Sequence, residues 1–240
     1  VAAWIRAAAD GPVEVLHRCD EAVHLDVSGR CVGLVSSRAT GLPNSLRSNL
    51  LRVSSTGAET AYVEGGNLHW GALALVTGRL VDVRAPRLDS AQVPCTETSP
   101  AGAEGIPRPR AAGLVALPAV LDQHTVADFI GRGDGLTPLG DDVVCGWLAL
   151  HRAVGLATPE VDDAVRRLLR RTTALSVALL RCALLGEVAD PVADFLRAMG
   201  GPDASAARHR LTRVGHSSGT GLAHGIDLAV RAMGARRNAA

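Results

Sequence analysis

The chain has 240 residues, 47% of them apolar and 20% charged, with a net charge of +1. That is globular composition with enough length to bury a core, and it excludes a disordered or fibrous protein. All 25 basic residues are arginine, which excludes Schiff-base, pyridoxal-anchor, P-loop and biotin-carrier chemistry, each of which needs a lysine. Six aromatic residues and a near-neutral charge leave neither stacking platforms nor a basic footprint, so no nucleic-acid partner is expected.

Cys19, Cys31, Cys95, Cys145 and Cys182 form no CxxC pair. They read as small buried apolar residues in a reducing compartment. The opening ten residues carry Arg6 and Asp10 and lack a leader's apolar run, and no uncharged run is long enough to span a bilayer. A cytoplasmic protein with no membrane partner is expected.

In chain order, Val1 to Ala9 reads as a short helix. Alternating runs then follow at Val13–Cys19, Ala22–Val27, Cys31 onward, around Tyr62, and from Leu73 to Val83, with 41–46 (GLPNSL) as a loop or bulge. Short alternating runs with frequent turn residues predict a mostly antiparallel β domain, a small barrel or sandwich, over 1–85. Five prolines between Pro86 and Arg110 predict a linker over 86–113. From 114 to 240 the period becomes helical. Helices are expected over 118–130 and 141–154, then one bent helix or two from Thr158-Pro159-Glu160 to Leu185. Further helices are expected from Asp190-Pro191 to Gly200, over 205–214, and from Ser217 or Ser218 to Met233. The fold class is α+β, a β domain followed by an α-helical bundle.

Three segments carry more than packing. In 131–146, GRGDGLTPLGDDVVCG, Gly131, Gly133, Gly135 and Gly140 lead into a helix start with Thr137, Pro138, Asp141 and Asp142. Glycines expose backbone N–H groups, and a helix start adds free donors and a positive dipole, so the loop can cradle an anion. Paired acids are also what an ordinary helix start favours. In 215–225, GHSSGTGLAHG, His216 is a candidate general acid, base or ligand, Ser217 and Ser218 can cap a helix, and Gly219 opens it. Gly221 and Gly225 are one turn apart and suit a close helix contact, and His224 reads as structural. In 170–176, Thr172, Thr173 and Ser176 can line a cleft or back-bond to their own helix, and Arg170 or Arg171 can clamp a carboxylate or phosphate. Asp141, Asp142 and His216 are the candidate catalytic groups. Gly133, Gly135, Thr137, Gly140, Thr172, Thr173, Ser176, Ser217, Ser218 and Gly219 are the candidate substrate-binding residues. No cofactor is required by these motifs, although Asp141 and Asp142 could hold a divalent metal.

The segments around Gly133-x-Gly-Leu-Thr-Pro-x-Gly-Asp-Asp142, Thr172-Thr-x-x-Ser176 with Gly186-Glu187, and Gly215-His-Ser-Ser-Gly219, in this order, resemble a bacterial domain-of-unknown-function family. That family includes the oxamate carbamoyltransferase subunit AllH. The resemblance spans 114–234 and is loose over the β half. It implies carbamoyl transfer between carbamoyl phosphate and oxamate in allantoin catabolism, a small anionic substrate, and a hetero-oligomer with the other carbamoyltransferase subunits. The family often carries an acid where this chain has Gly221. A metal-dependent hydrolase or lyase acting on a small carboxylate or amide, and a non-catalytic binding or assembly subunit, are the alternatives from other classes.

Overall fold

The computed structural model describes residues 1–94 and 117–238. The fold is α+β. It divides into two compact units, Val1–Val83 and Arg84–Ala240. Cys95 and most of the proline-rich segment lie outside the described residues.

The first unit opens with α1 (Ala2–Ala7), followed by β1 (Gly11–Arg18), β2 (Ala22–Asp26), β3 (Cys31–Val35), β4 (Ser45–Arg47), β5 (Ala61–Glu64), β6 (Asn67–Trp70) and β7 (Leu73–Leu75). These form one sheet in the order β4-β3-β2-β1-β5-β6-β7, curled into a half-barrel. All pairings are antiparallel except β3 with β4. The end of the expected 41–46 loop thus enters the sheet as β4, its position fixed by Asn44, whose side-chain amide donates to Cys31 O at 3.1 Å. The central β1 alternates half-buried and exposed residues, whereas every residue of β3, next to the edge strand β4, is buried. Val23, Leu25, Val32, Leu34, Leu68 and Trp70 fill the core, and α1 adds Ile5. Each such side chain contributes about 1.5–3 kcal/mol by leaving water. Trp70 satisfies its indole N–H on Thr56 Oγ1 at 3.0 Å.

The strand expected over 73–83 stops at Leu75. Beyond it Val76, Leu80 and Val81 are exposed and unpaired. Alternation marks a chain able to pair, but β7 is the last strand and offers no partner past that point.

The second unit contains α2 (Leu139–Ala153), α3 (Pro159–Leu168), α4 (Ala174–Leu184), α5 (Asp190–Ala198), α6 (Ala204–Thr212) and α7 (Ser218–Asn238). The helix expected over 118–130 is absent apart from a single 3-10 turn at Val126–Asp128. Asp122 Oδ1 accepts the amides of His124 and Thr125 at 2.8 and 2.9 Å, a local turn that competes with helix nucleation. Residues 158–185 form two helices separated by a 3-10 turn at Leu169–Arg171, and Thr173 caps α4 by accepting Ser176 N–H at 3.1 Å. Thr158 is not a side-chain cap. Its hydroxyl donates to Asp162 Oδ1 at 2.8 Å inside a half-buried Arg152–Asp162 ion pair.

α2 is the hub, with every residue buried except Arg152. It packs on α7 backbone to backbone. A methyl group at Gly146 would stand 2.0 Å from Leu222 O, and one at Gly225 would stand 1.9 Å from Val143 O. The close-contact reading of Gly221 and Gly225 is therefore correct. Residues 84–94 are pinned to the same unit. Leu88 N–H donates to Ala153 O at 2.9 Å, and the Arg237 guanidinium donates to Ser90 O and Val93 O.

Candidate functional site

Pro138 occupies the position ahead of α2, and its carbonyl accepts the amides of Asp141 and Asp142 at 3.0 and 3.3 Å. Asp141 and Asp142 fall in the first turn with both side chains buried, 1% and 4% exposed. Neither acid caps the helix. Asp141 reaches back, its Oδ1 accepting Gly131 N–H at 2.7 Å and its Oδ2 accepting the Thr172 hydroxyl. Thr173 donates its hydroxyl to Leu136 O. Thr137 and Ser218 share a hydrogen bond of 2.7 Å between their hydroxyl oxygens. The three sequence segments therefore meet at the start of α2.

Burial pushes the Asp141 carboxyl up, against the opposing pull of Thr172, Gly131 and Ser176. Asp142 is pushed up to about 8, first by burial. The Ser218 and Thr137 hydroxyls favour its charged form, while the neighbouring Asp141 disfavours it. Those two hydroxyls are engaged with each other, and Asp142 Oδ2 is left buried without a hydrogen-bond partner. Ser176 Oγ is likewise buried and outside bonding geometry, although close enough to Asp141 to favour its charge. One turn along α2, burial pushes the Cys145 thiol up, and Cys182 is pushed up to about 12. Neither supplies a thiolate nucleophile near neutral pH.

The glycines divide into two kinds. Gly133 and Gly135 are exposed with φ of 111° and 91°, and among the described residues their amides make no hydrogen bond. Gly140 and Gly219 are not open cradles. A methyl group at Gly140 would stand 2.0 Å from Phe129 O, and one at Gly219 1.9 Å from Leu211 O. Their amides are spent on Arg132 O and Val214 O, each at 2.9 Å. These two glycines are spacers that let backbones touch. His216 is exposed in the turn before α7, Ser217 is half-buried, and Ser218 directs its hydroxyl to Thr137 rather than to its own helix. Arg170 and Arg171 are exposed.

Each Asp141 oxygen takes one donor from within the chain, burial pushes Asp142 up to about 8, and no group of three His, Cys, Asp or Glu residues gathers among the described residues. Sequence reasoning missed the Leu136 carbonyl and the role of the Gly131 amide. The first carries no residue-type signal, and the second requires knowing that Asp141 folds back.

Gly221 explains its own identity. A methyl group there would lie 2.8 Å from Asp142 Cβ and 3.0 Å from Leu139 O. An acid at this position has no room without parting α2 from α7.

Residues 129–230 match the family model described as oxamate carbamoyltransferase subunit AllH. The matched stretch begins just ahead of the Gly131 loop and ends within α7, so it contains all three converging segments. No solved structure matches the chain. Among the described residues no helix is long and apolar enough to cross a membrane.

Proposed function

We propose that this chain is an AllH-type subunit of a carbamoyltransferase that handles a small anion of the oxamate or carbamoyl phosphate kind within a hetero-oligomer. The observation that carries the reading is the coincidence of the family match over 129–230 with the meeting of Thr137, Asp141, Asp142, Thr172 and Ser218. Carbamoyl transfer brings two anions together, so a site for it must limit its own negative charge. Asp142, protonated up to about pH 8, adds none at neutrality, and the Asp141 carboxylate is screened by two donors. Gly133 and Gly135 supply exposed amides, and His216 supplies an accessible imidazole. The contribution of these groups would be positioning and electrostatic stabilisation. The test is conversion of oxamate by carbamoyl phosphate, measured with and without candidate partner subunits. Transfer that depends on this chain supports the reading, and transfer that proceeds equally without it overturns it.

A second reading, a non-catalytic assembly subunit, draws on the inward-turned Asp141, whose oxygens are both satisfied within the chain. Asp141→Ala and His216→Ala in the intact complex separate the two. Weaker assembly with unchanged turnover per complex favours the assembly role, and lost turnover in an intact complex favours the catalytic one.

A further inference from the structure

Each oxygen of Asp141 holds a different stretch of chain. Oδ1 binds the amide of Gly131, which precedes Arg132, and Oδ2 binds the hydroxyl of Thr172, which follows Arg171. The two stretches also touch, since a methyl group at Gly131 would stand 2.3 Å from Arg171 O. One buried carboxyl thus fixes the backbone from which both arginine side chains depart. Both are exposed, and among the described residues neither makes a hydrogen bond or ion pair. Asp134, exposed on the same loop, pairs with neither. Two guanidinium groups carried on adjoining backbone without a counter-charge can hold a bound oxyanion through planar two-point hydrogen bonds. The same loop carries the free amides of Gly133 and Gly135, both exposed. Exposed backbone amides on the same loop add donors for a bound oxyanion.

We infer that Arg132 and Arg171 form a two-jawed clamp for a small oxyanion, carboxylate or phosphoryl, and that Asp141 is the positioning residue that sets their spacing. The inference deepens the proposed function, on which it depends only for the identity of the anion. Arg132 is the new member, and Asp141 passes from a candidate catalytic group to the tether behind the clamp.

The experiment is isothermal titration of the full chain with oxamate and, separately, with inorganic phosphate at fixed low ionic strength. Arg132→Ala and Arg171→Ala should each weaken binding about tenfold or more, as expected for the loss of a charge-assisted contact. The double variant should abolish binding, while Arg167→Ala and Arg181→Ala, exposed arginines elsewhere, should leave it unchanged. A double-mutant cycle adds Asp141→Asn, and the effect of Arg132→Ala should shrink in that background, which a purely structural role for Asp141 would not produce. The preferred anion identifies the source, carboxylate or phosphoryl. Binding of both anions by the double variant as by the unaltered protein overturns the clamp, as does failure of the unaltered protein to bind either at millimolar concentration. If the arginine variants lose binding in a protein that shows no carbamoyl transfer with its partners, the clamp stands and the enzymatic reading falls. If the double variant retains full transfer, the clamp falls and the enzymatic reading stands.

Discussion

Thr137 and Ser218 are separated by 81 positions in sequence, and their hydroxyl oxygens lie 2.7 Å apart. This bond joins the loop before α2 to the start of α7 and closes over Asp142. Thr137→Val and Ser218→Ala should each lower stability by about 0.5–1.5 kcal/mol, the usual net worth of one such bond. Their effects should be less than additive in the double variant, as measured by urea denaturation. Full additivity would mean that the two hydroxyls do not interact.

The ionisation of Asp142 sets a pH dependence. Its folded pKa of about 8 lies above the ordinary carboxylate value of 3.8. Between those limits the folded state keeps a proton that the unfolded state releases, so stability falls as pH rises from about 4 to 8, by up to ~1.4 kcal/mol per pH unit. Burial of Asp141 acts in the same direction. Asp142→Asn should flatten most of this slope and raise the melting temperature at pH 8. The helical unit can be followed through Trp147 fluorescence. An unchanged slope in Asp142→Asn would refute the assignment.

The glycines of the α2–α7 contact give a paired test. Gly225→Ala places a methyl group 1.9 Å from Val143 O and should destabilise by about 1–3 kcal/mol or more. Gly221→Asp, which introduces the acid frequent in the resembling family, should cost at least as much, because the new side chain collides with Asp142 Cβ and Leu139 O. Gly234→Ala, in the same helix with nothing within 4 Å, should instead stabilise by about 0.5–1 kcal/mol through helix propensity. Thermal melts of the three variants decide the matter by sign.

His24 behaves oppositely in the first unit. It is buried with Nδ1 unpartnered, and burial, aided by the facing His17, lowers it to about 4. Its folded pKa lies below the ordinary 6.5, so the unfolded state gains a proton first. The sheet unit should therefore lose stability as pH falls from about 6.5 to 4. An NMR titration should show the His24 ring neutral down to about pH 5. A midpoint near 6.5 would show that burial does not control it.

The helical unit was legible where local chemistry decides structure. Thr158-Pro159 and Asp190-Pro191 marked true helix starts, and the stretch expected as one bent helix or two is two, divided ahead of α4. The run 118–130 was misread because Asp122 takes two amides that a helix would have used. The site was legible in its residue types but not in their division of labour. A glycine that exposes an amide, such as Gly135, and one that admits a neighbouring carbonyl, such as Gly219, look alike in sequence. The difference depends on what packs there, and at Gly219 that neighbour is the Leu211 carbonyl from the end of α6. Residues 73–83 failed for a related reason, since strand-forming sequence cannot state whether a partner strand exists.

The interlocked backbones of α2 and α7 also bear on how the protein is made. Thr137, just ahead of α2, emerges from the ribosome 81 positions before Ser218, the residue that seals it, and until then the glycine notch of α2 lacks its α7 partner. The helical unit therefore cannot finish from its amino-terminal portion alone, because the long-range closure comes last. A nascent chain halted before Ser218 would expose the apolar face of its own hub, a state suited to capture by chaperones rather than to function.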